Sequence, residues 1–416
     1  MVKYAERMDD MKPSAIRELL KLTTQPQIIS FAGGLPAPEL FPVDDIQAAA
    51  DAVLQENGRI ALQYGQTDGW APLRKQIADR MLIKNGISTT PSNILLTAGS
   101  QQGLDFAARL FCDKDDIVIM ESPSYLGAIN AFRASSPRFV EIPTDGDGMI
   151  MEELEKVLAS SDRVKMIYVI PDFHNPSGRT WPMERRRQFM DIISKYEIPV
   201  IEDNPYGDLR FAGETLPSLK SMDEKGLVIY LGTFSKILSP GMRIGWICAS
   251  DAYIEKFNII AQGAVLQTAT INAMIVSKYM EMFDIDRHIG TILPVYAHRS
   301  GLMIDTMKNT FPEEAKFTIP EGGLFTWVEL PEYIDTKAMA TEALSRNVAY
   351  VPGEGFFPNG GNTWCMRLNY SCMTDERIVE GITSLSEVIK ANLKIKRFHG
   401  RAHTLPCYSH NIRINR

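Results

Sequence analysis

Short, nearly continuous apolar runs alternate with helix-period stretches through the middle of the chain. NILLTAG (93–99), DIVIMES (116–122), VKMIYVIP (164–171), IPVIED (198–203), GLVIYLG (226–232) and IGWICAS (244–250) carry no strict polar alternation. Runs of this kind are strands buried on both faces. Between them, segments such as GLDFAARLF and ERRRQFMDIISKYE place apolar residues at three- and four-residue spacing, which is one helix face. Strand–helix alternation predicts βαβ units, an α/β fold, and a mostly parallel sheet sandwiched by helices.

The pattern changes after residue 250. Residues 252–310 read as long helices. GGLFTWVEL, NVAYVPG and CMRLNYS then predict a separate small sheet, closed by the helix DERIVEGITSLSEVIKANL. The expected organisation is an N-terminal helix and loop (1–45), a large domain (46–309) and a small α/β domain (310–393) that also takes in the N-terminal segment. A basic tail (394–416) follows, read as disordered. That tail holds six Lys or Arg, no acid and three of the six histidines. A metal site from His399, His403, Cys407 and His410 is the alternative to a solvated tail.

Composition narrows the functional classes. At 416 residues the chain suits two domains that share a core. A net charge of -7 argues against nucleic acid as a partner, because no general basic field gathers phosphates. Five scattered cysteines show neither metal-site spacing nor a disulfide framework, which suits a reducing compartment. The N-terminal MVKYAERMDDMKPS is too charged for a signal peptide, and no apolar run approaches the roughly 18 residues of a membrane span. The expectation is a cytoplasmic protein that binds no membrane.

Chemistry concentrates just past the strands, where parallel α/β sheets bind ligands. NILLTAG is followed by Ser100 and Gln101, read as a serine-capped helix N-terminus and an anion site. DIVIMES leads to Tyr125, VKMIYVIP to Asn175 in an Asn-Pro-Ser-Gly turn, IPVIED to Asp203 and Tyr206, and GLVIYLG to Thr233, Ser235, Lys236 and Arg243. Each has a plain alternative: a helix cap, a rim aromatic, an ordinary turn, a solvated acid, a surface lysine. Together they form an inventory for a phosphorylated pyridine aldehyde. The lysine makes a Schiff base with it, and a carboxylate keeps the ring nitrogen protonated.

SKILSPGMRIGW resembles the S-K-x-x-x-P-G-x-R-x-G signature of the class I/II aminotransferases, a family of fold-type I enzymes dependent on pyridoxal 5′-phosphate. NPSG and EDNPY lie at matching spacing, and the likeness runs from about residue 14 to 393. The resemblance implies a seven-stranded type of sheet in the large domain and a function for each residue. Lys236 would hold the cofactor and move protons. Asp203 would pair with the ring nitrogen, Asn175 and Tyr206 would bind the ring oxygen, and Tyr125 would stack on the ring. Ser100, Gln101, Ser235 and Arg243 would bind the phosphate. Thr233 stands where relatives often have Ser and keeps the hydroxyl. Tyr64 would reach the phosphate of a neighbouring subunit, making a homodimer with shared sites. Arg367 would clamp the substrate α-carboxylate. His174 stands where Gln is commoner, which leaves one pocket contact open.

The N-terminal SAIRELLKLTTQPQIISFAGGLPAPELFP resembles the branch containing 2-aminoadipate and kynurenine aminotransferases. That likeness puts the Gly34 loop beside the substrate and Arg17, on a mobile lid helix, opposite a distal carboxylate; the alternative is a solvent-facing arginine. The implied reaction is ping-pong transfer of an amino group from an L-amino acid (2-aminoadipate, glutamate, or a large apolar or aromatic donor) to a 2-oxo acid such as 2-oxoglutarate. β-Elimination or decarboxylation on the same fold is the alternative. A sensor domain of a transcription regulator is disfavoured, because only about 45 residues precede the large domain.

Overall fold

The computed structural model describes residues 2–10 and 25–399. Its centre is an eight-stranded sheet. The strands are β2 (Ile94–Thr97), β3 (Ile117–Ser122), β4 (Arg138–Asp145), β5 (Gly148–Met149), β6 (Val164–Val169), β7 (Val200–Asp203), β8 (Val228–Thr233) and β9 (Gly245–Cys248), after a short N-terminal β1 (Ile29–Ser30). They lie side by side in the order β2-β9-β8-β7-β6-β3-β4-β5. The ladder from β8 through β7, β6 and β3 to β4 is parallel, while β9 runs against both its neighbours and β5 against β4.

All six apolar runs form strands of this sheet. Two strands escape that pattern. Along β4, RFVEIPTD is only partly buried, and its polar residues interrupt any apolar run. β5 is a two-residue addition at the edge, so the sheet holds eight strands rather than seven. Helices cover both faces: Ser100–Phe111, Leu126–Arg133 and Asp251–Ala264 pack on one, and Met151–Ser160 and Met183–Tyr196 on the other. The long stretch after residue 250 is helical at Asp251–Ala264, Thr270–Met282 and Ile285–Thr310.

A second, antiparallel sheet has the order β10-β11-β14-β13, from β10 (Lys316–Phe317), β11 (Phe325–Glu329), β13 (Val351–Pro352) and β14 (Cys365–Asn369). The segment NVAYVPG divides between two ladders. Its first part, β12 (Val348–Ala349), pairs in parallel with β1, and its second part joins β14. The N-terminal segment is thereby tied to the C-terminal third of the chain. The last helix spans Asp375–His399, six residues beyond the boundary expected at 393. Its apolar positions Ile378, Ile382, Leu385 and Ile389 are fully buried at helical spacing, so its first turns are anchored by packing.

Candidate active site

The carboxyl ends of β2, β3, β6, β7 and β8 share one edge of the central sheet, and β14 of the small sheet faces them across a cavity of about 830 Å³. Of the residues singled out from the sequence, Gly34, Ser100, Gln101, Tyr125, Asn175, Asp203, Tyr206, Thr233, Ser235, Lys236, Arg243 and Arg367 all line that cavity. Tyr64 does not. It is 78% exposed, away from this chain's own cavity. Arg17 lies outside the described residues, as do His403, Cys407 and His410 of the basic tail.

Lys236 follows β8 by three residues and donates from Nζ to the Gly34 carbonyl at 2.8 Å. Desolvation first, and then the positive charge of Arg367, lower its amine pKa to about 8. A sizeable neutral fraction near neutrality is what a nucleophile or proton carrier requires.

Asp203 closes β7 and is 1% exposed. Tyr168 donates to its Oδ2 at 2.9 Å, whereas Oδ1 is buried without a hydrogen-bond partner among the described residues. Burial raises its pKa to about 7, against the opposing pulls of Tyr168 and Lys236. A buried carboxylate oxygen with no partner lacks a donor, and the N–H of a protonated pyridine fits that deficit. The Asn175 amide donates to Tyr206 Oη at 3.2 Å and accepts from Arg367 Nη1 at 2.9 Å. Burial also raises the Tyr206 phenol.

Arg367 is held by more than that one bond. Its Nη2 donates to the Ala32 carbonyl at 2.8 Å, and its guanidinium lies 4.2 Å from the Phe325 ring centroid and 5.2 Å from that of Phe356. Nε is buried with no partner among the described residues. Burial lowers its pKa to about 10, so it stays charged at neutral pH. The result is a planar cation stacked between aromatic rings beside the cavity, suited to a carboxylate.

The anion end is built on the turn after β2. The cap of the helix Ser100–Phe111 is Gly99, not Ser100, which is the first helical residue and makes no capping bond. Arg243 leaves that cap no room for a side chain. A Cβ on residue 99 would stand 2.6 Å from Arg243 Nη2, and the φ of 83° suits only glycine. Arg243 itself has φ 52° and donates to the Ala98 carbonyl, which brings its guanidinium over the helix N-terminus. Ser235 N–H donates to Thr233 Oγ1 at 3.1 Å, and that hydroxyl reaches Ser235 Oγ at 2.9 Å, so the two hydroxyls form one tight turn beside Lys236. Free helix N–H groups, two hydroxyls and an arginine make a phosphate cradle.

His174 is not a pocket residue. It is 2% exposed, its Nδ1 lies 2.8 Å from Ser177 Oγ, and its Nε2 faces Glu121 Oε2 at 3.4 Å. His174 is therefore buried between the Asn-Pro-Ser-Gly turn and β3, with Nε2 making no hydrogen bond among the described residues. Gly178 lets β11 come close: a Cβ there would stand 2.5 Å from the Phe325 carbonyl. Sequence reasoning missed Tyr168, which sits inside an apolar run, and the aromatic bracket of Phe325 and Phe356. The signal for Tyr168 was a phenol within a strand made mostly of Val, Ile and Met.

The donor set, the orphaned Asp203 oxygen and the Arg243 cradle fit a phosphorylated pyridine cofactor. Comparison with known proteins agrees. The model of the family "Aminotransferase class I and II" matches residues 37–385. An aromatic-amino-acid aminotransferase of Thermococcus litoralis is 44% identical, over 94% of this chain and 95% of its own. A 2-aminoadipate transaminase of Thermus thermophilus is 40% identical, over 92% of this chain and 96% of its own. The solved structure of Pyrococcus horikoshii kynurenine aminotransferase, in complex with PMP, matches with a TM-score of 0.90 at 40% identity, covering 94% of this chain and 97% of that one. Both the site and these likenesses lead to one conclusion: the chain belongs to the class I and II aminotransferases and is a pyridoxal-phosphate-dependent aminotransferase of fold-type I.

Proposed function

We propose that this aminotransferase takes its amino group from a large L-amino acid, aromatic or 2-aminoadipate in class, and gives it to 2-oxoglutarate. The observation that carries the reading is Arg367, a buried charged fork bracketed by two rings, beside the Lys236 amine and within one cavity. The relatives named for aromatic amino acids, 2-aminoadipate and kynurenine support the donor class.

Bound pyridoxal phosphate supplies an electron-withdrawing ring that makes the α-proton of the amino acid removable. Asp203 Oδ1 would hold the ring N–H. Asn175 and Tyr206 would donate to the ring oxygen, and Tyr125 would cover the ring face. Ser100, Gln101, Thr233, Ser235 and Arg243 would hold the phosphate. Arg367 would bind the α-carboxylate of the amino acid. Lys236 Nζ, neutral in part because its pKa is near 8, would accept the α-proton and act as the proton carrier of the site. Tyr64, exposed on this chain, reaches across to a second copy's phosphate, so the working unit is a homodimer with shared sites. Arg17, outside the described residues, is the candidate partner for the distal carboxylate of an acidic donor. The chain divides at about residues 45 and 309 into an N-terminal segment, a large domain and a small domain, the last helix of which ends at His399. No described helix is long and apolar enough to cross a membrane.

A visible absorbance titration of the holoenzyme tests the reading. L-2-aminoadipate and an aromatic amino acid should each convert the lysine-bound band to the pyridoxamine form, with the 2-oxo acid as product. Release of ammonia or carbon dioxide would move the assignment to elimination or decarboxylation. Arg17→Ala should lower kcat/KM for 2-aminoadipate and spare that for leucine; equal losses would remove Arg17 from the distal subsite.

A further inference from the structure

We propose that Tyr168 is a positioning residue, whose hydroxyl ties down one oxygen of Asp203 so that the other stands free as the sole acceptor for the cofactor's ring N–H. The inference rests on the assignment of Asp203 as the ring-nitrogen partner, and goes beyond it to a residue that touches neither substrate nor cofactor.

The sheet geometry produces the contact. Tyr168 pairs across the parallel β6–β7 ladder with Ile201. Asp203 is two residues further on, so it points to the same face as Ile201 and is Tyr168's diagonal neighbour, within reach of a long side chain. The Tyr168 ring is fully buried and held edge-on by Phe132, with centroids 5.5 Å apart at 78°. Its hydroxyl meets Asp203 Oδ2 at 2.9 Å.

The bond has two consequences. It fixes the carboxylate's rotation, because one oxygen is engaged and only Oδ1 is left over. It also favours the charged carboxylate. Burial opposes ionisation of Asp203, while the Tyr168 O–H and the Lys236 cation oppose that effect. Tyr125 and Tyr206 also lie near enough to Tyr168 to act on it electrostatically. A core tyrosine that merely needs a buried partner for its hydroxyl predicts a loss of stability when the hydroxyl is removed, and nothing more. A positioning tyrosine predicts a change in the cofactor.

The experiment compares four holoenzymes: wild type, Tyr168→Phe, Asp203→Asn and the double variant. Each is scored for cofactor retention on dilution, for the pH midpoint of the visible band, and for kcat and KM. Tyr168→Phe keeps the ring and its packing. It should weaken cofactor retention about tenfold, the scale of one hydrogen bond to a charged group, and raise the band's midpoint, since a less protonated ring withdraws less charge. kcat should fall while KM holds. In the Asp203→Asn background the same change should do almost nothing further. Unchanged retention in Asp203→Asn alone would overturn the assignment of Asp203, and the proposal with it. Weakened retention in Asp203→Asn but not in Tyr168→Phe, or losses that simply add in the double variant, would overturn the role of Tyr168 alone.

Discussion

Arg367 and Asn175 are joined directly: Arg367 Nη1 donates to Asn175 Oδ1 at 2.9 Å, although 192 residues separate them. The same amide donates to Tyr206 Oη at 3.2 Å. One side chain thus connects the carboxylate fork on β14 to the phenol after β7. Asn175→Ala removes an acceptor from a buried cation and a donor from a buried phenol. Losing a bond to a charged group and one between neutral groups should lower kcat/KM by about 30- to 1000-fold. Both KM and kcat should move, in steady-state rates with the best donor. If KM for the amino acid stays at the wild-type value, Arg367 holds its place without Asn175.

Arg367→Lys tests the fork itself. Lysine keeps the charge but loses the planar pair of donors and the stacking between Phe325 and Phe356. A loss of about 100-fold in kcat/KM is expected, chiefly as a raised KM for every amino acid and 2-oxo acid. Cofactor retention should fall far less than this, because Arg367 is proposed for the substrate and touches the proposed cofactor residues only through Asn175. A lysine variant with normal KM would show that the site needs only a cation there.

Gly99 gives a prediction at the opposite end of the cavity. Its φ is 83°, and Arg243 Nη2 lies 2.6 Å from where a Cβ would stand, which leaves no room for a side chain. Gly99→Ala should displace Arg243 and strain the cap, at about 1–3 kcal/mol. Pyridoxal phosphate should dissociate roughly tenfold faster or more. Fluorescence of the released cofactor after dilution reads this directly. Retention equal to wild type would mean that Arg243 does not bear on the phosphate.

Most of the central fold was legible because parallel strands buried on both faces leave continuous apolar runs. β4 was not, because it is only partly buried and its side chains follow no such run. The pairing of β1 with β12 was not either: two residues at each end carry no periodicity, and the contact joins residues about 319 apart in sequence. Lys236, Asp203, Asn175 and Arg243 were legible as polar residues placed just past apolar strands. The true helix cap was hidden, since Ser100 has the composition of a cap while the cap is Gly99, whose positive φ and contact with Arg243 leave no room for a side chain. The place of His174, left open by the sequence, was hidden for a related reason. Sequence places it next to Asn175, but in a tight turn neighbouring side chains point apart, and His174 turns to Glu121.

Glu121 and His174 give a prediction on stability. Glu121 is 1% exposed and accepts from Trp181 Nε1 at 2.9 Å. Burial raises its carboxyl to about 7, against the weaker opposing pull of Trp181. Burial also lowers the His174 imidazole to about 3, so His174 is neutral across the working range and offers Glu121 no compensating charge. The folded protein therefore keeps the Glu121 proton to higher pH than the unfolded chain does. Its contribution to stability is complete below about 4.5 and is lost as pH rises through 7. Gln in its place is neutral throughout and can still accept from Trp181. The stability of Glu121→Gln relative to wild type should thus climb between about pH 4.5 and 7 and then level off, by a total on the order of 3 kcal/mol. Urea unfolding of both proteins at pH 5, 6, 7 and 8 measures it. A difference that stays flat across that range would mean that Glu121 is ionised in the folded protein at pH 5, and that the His174 side of the turn is held by a full ion pair.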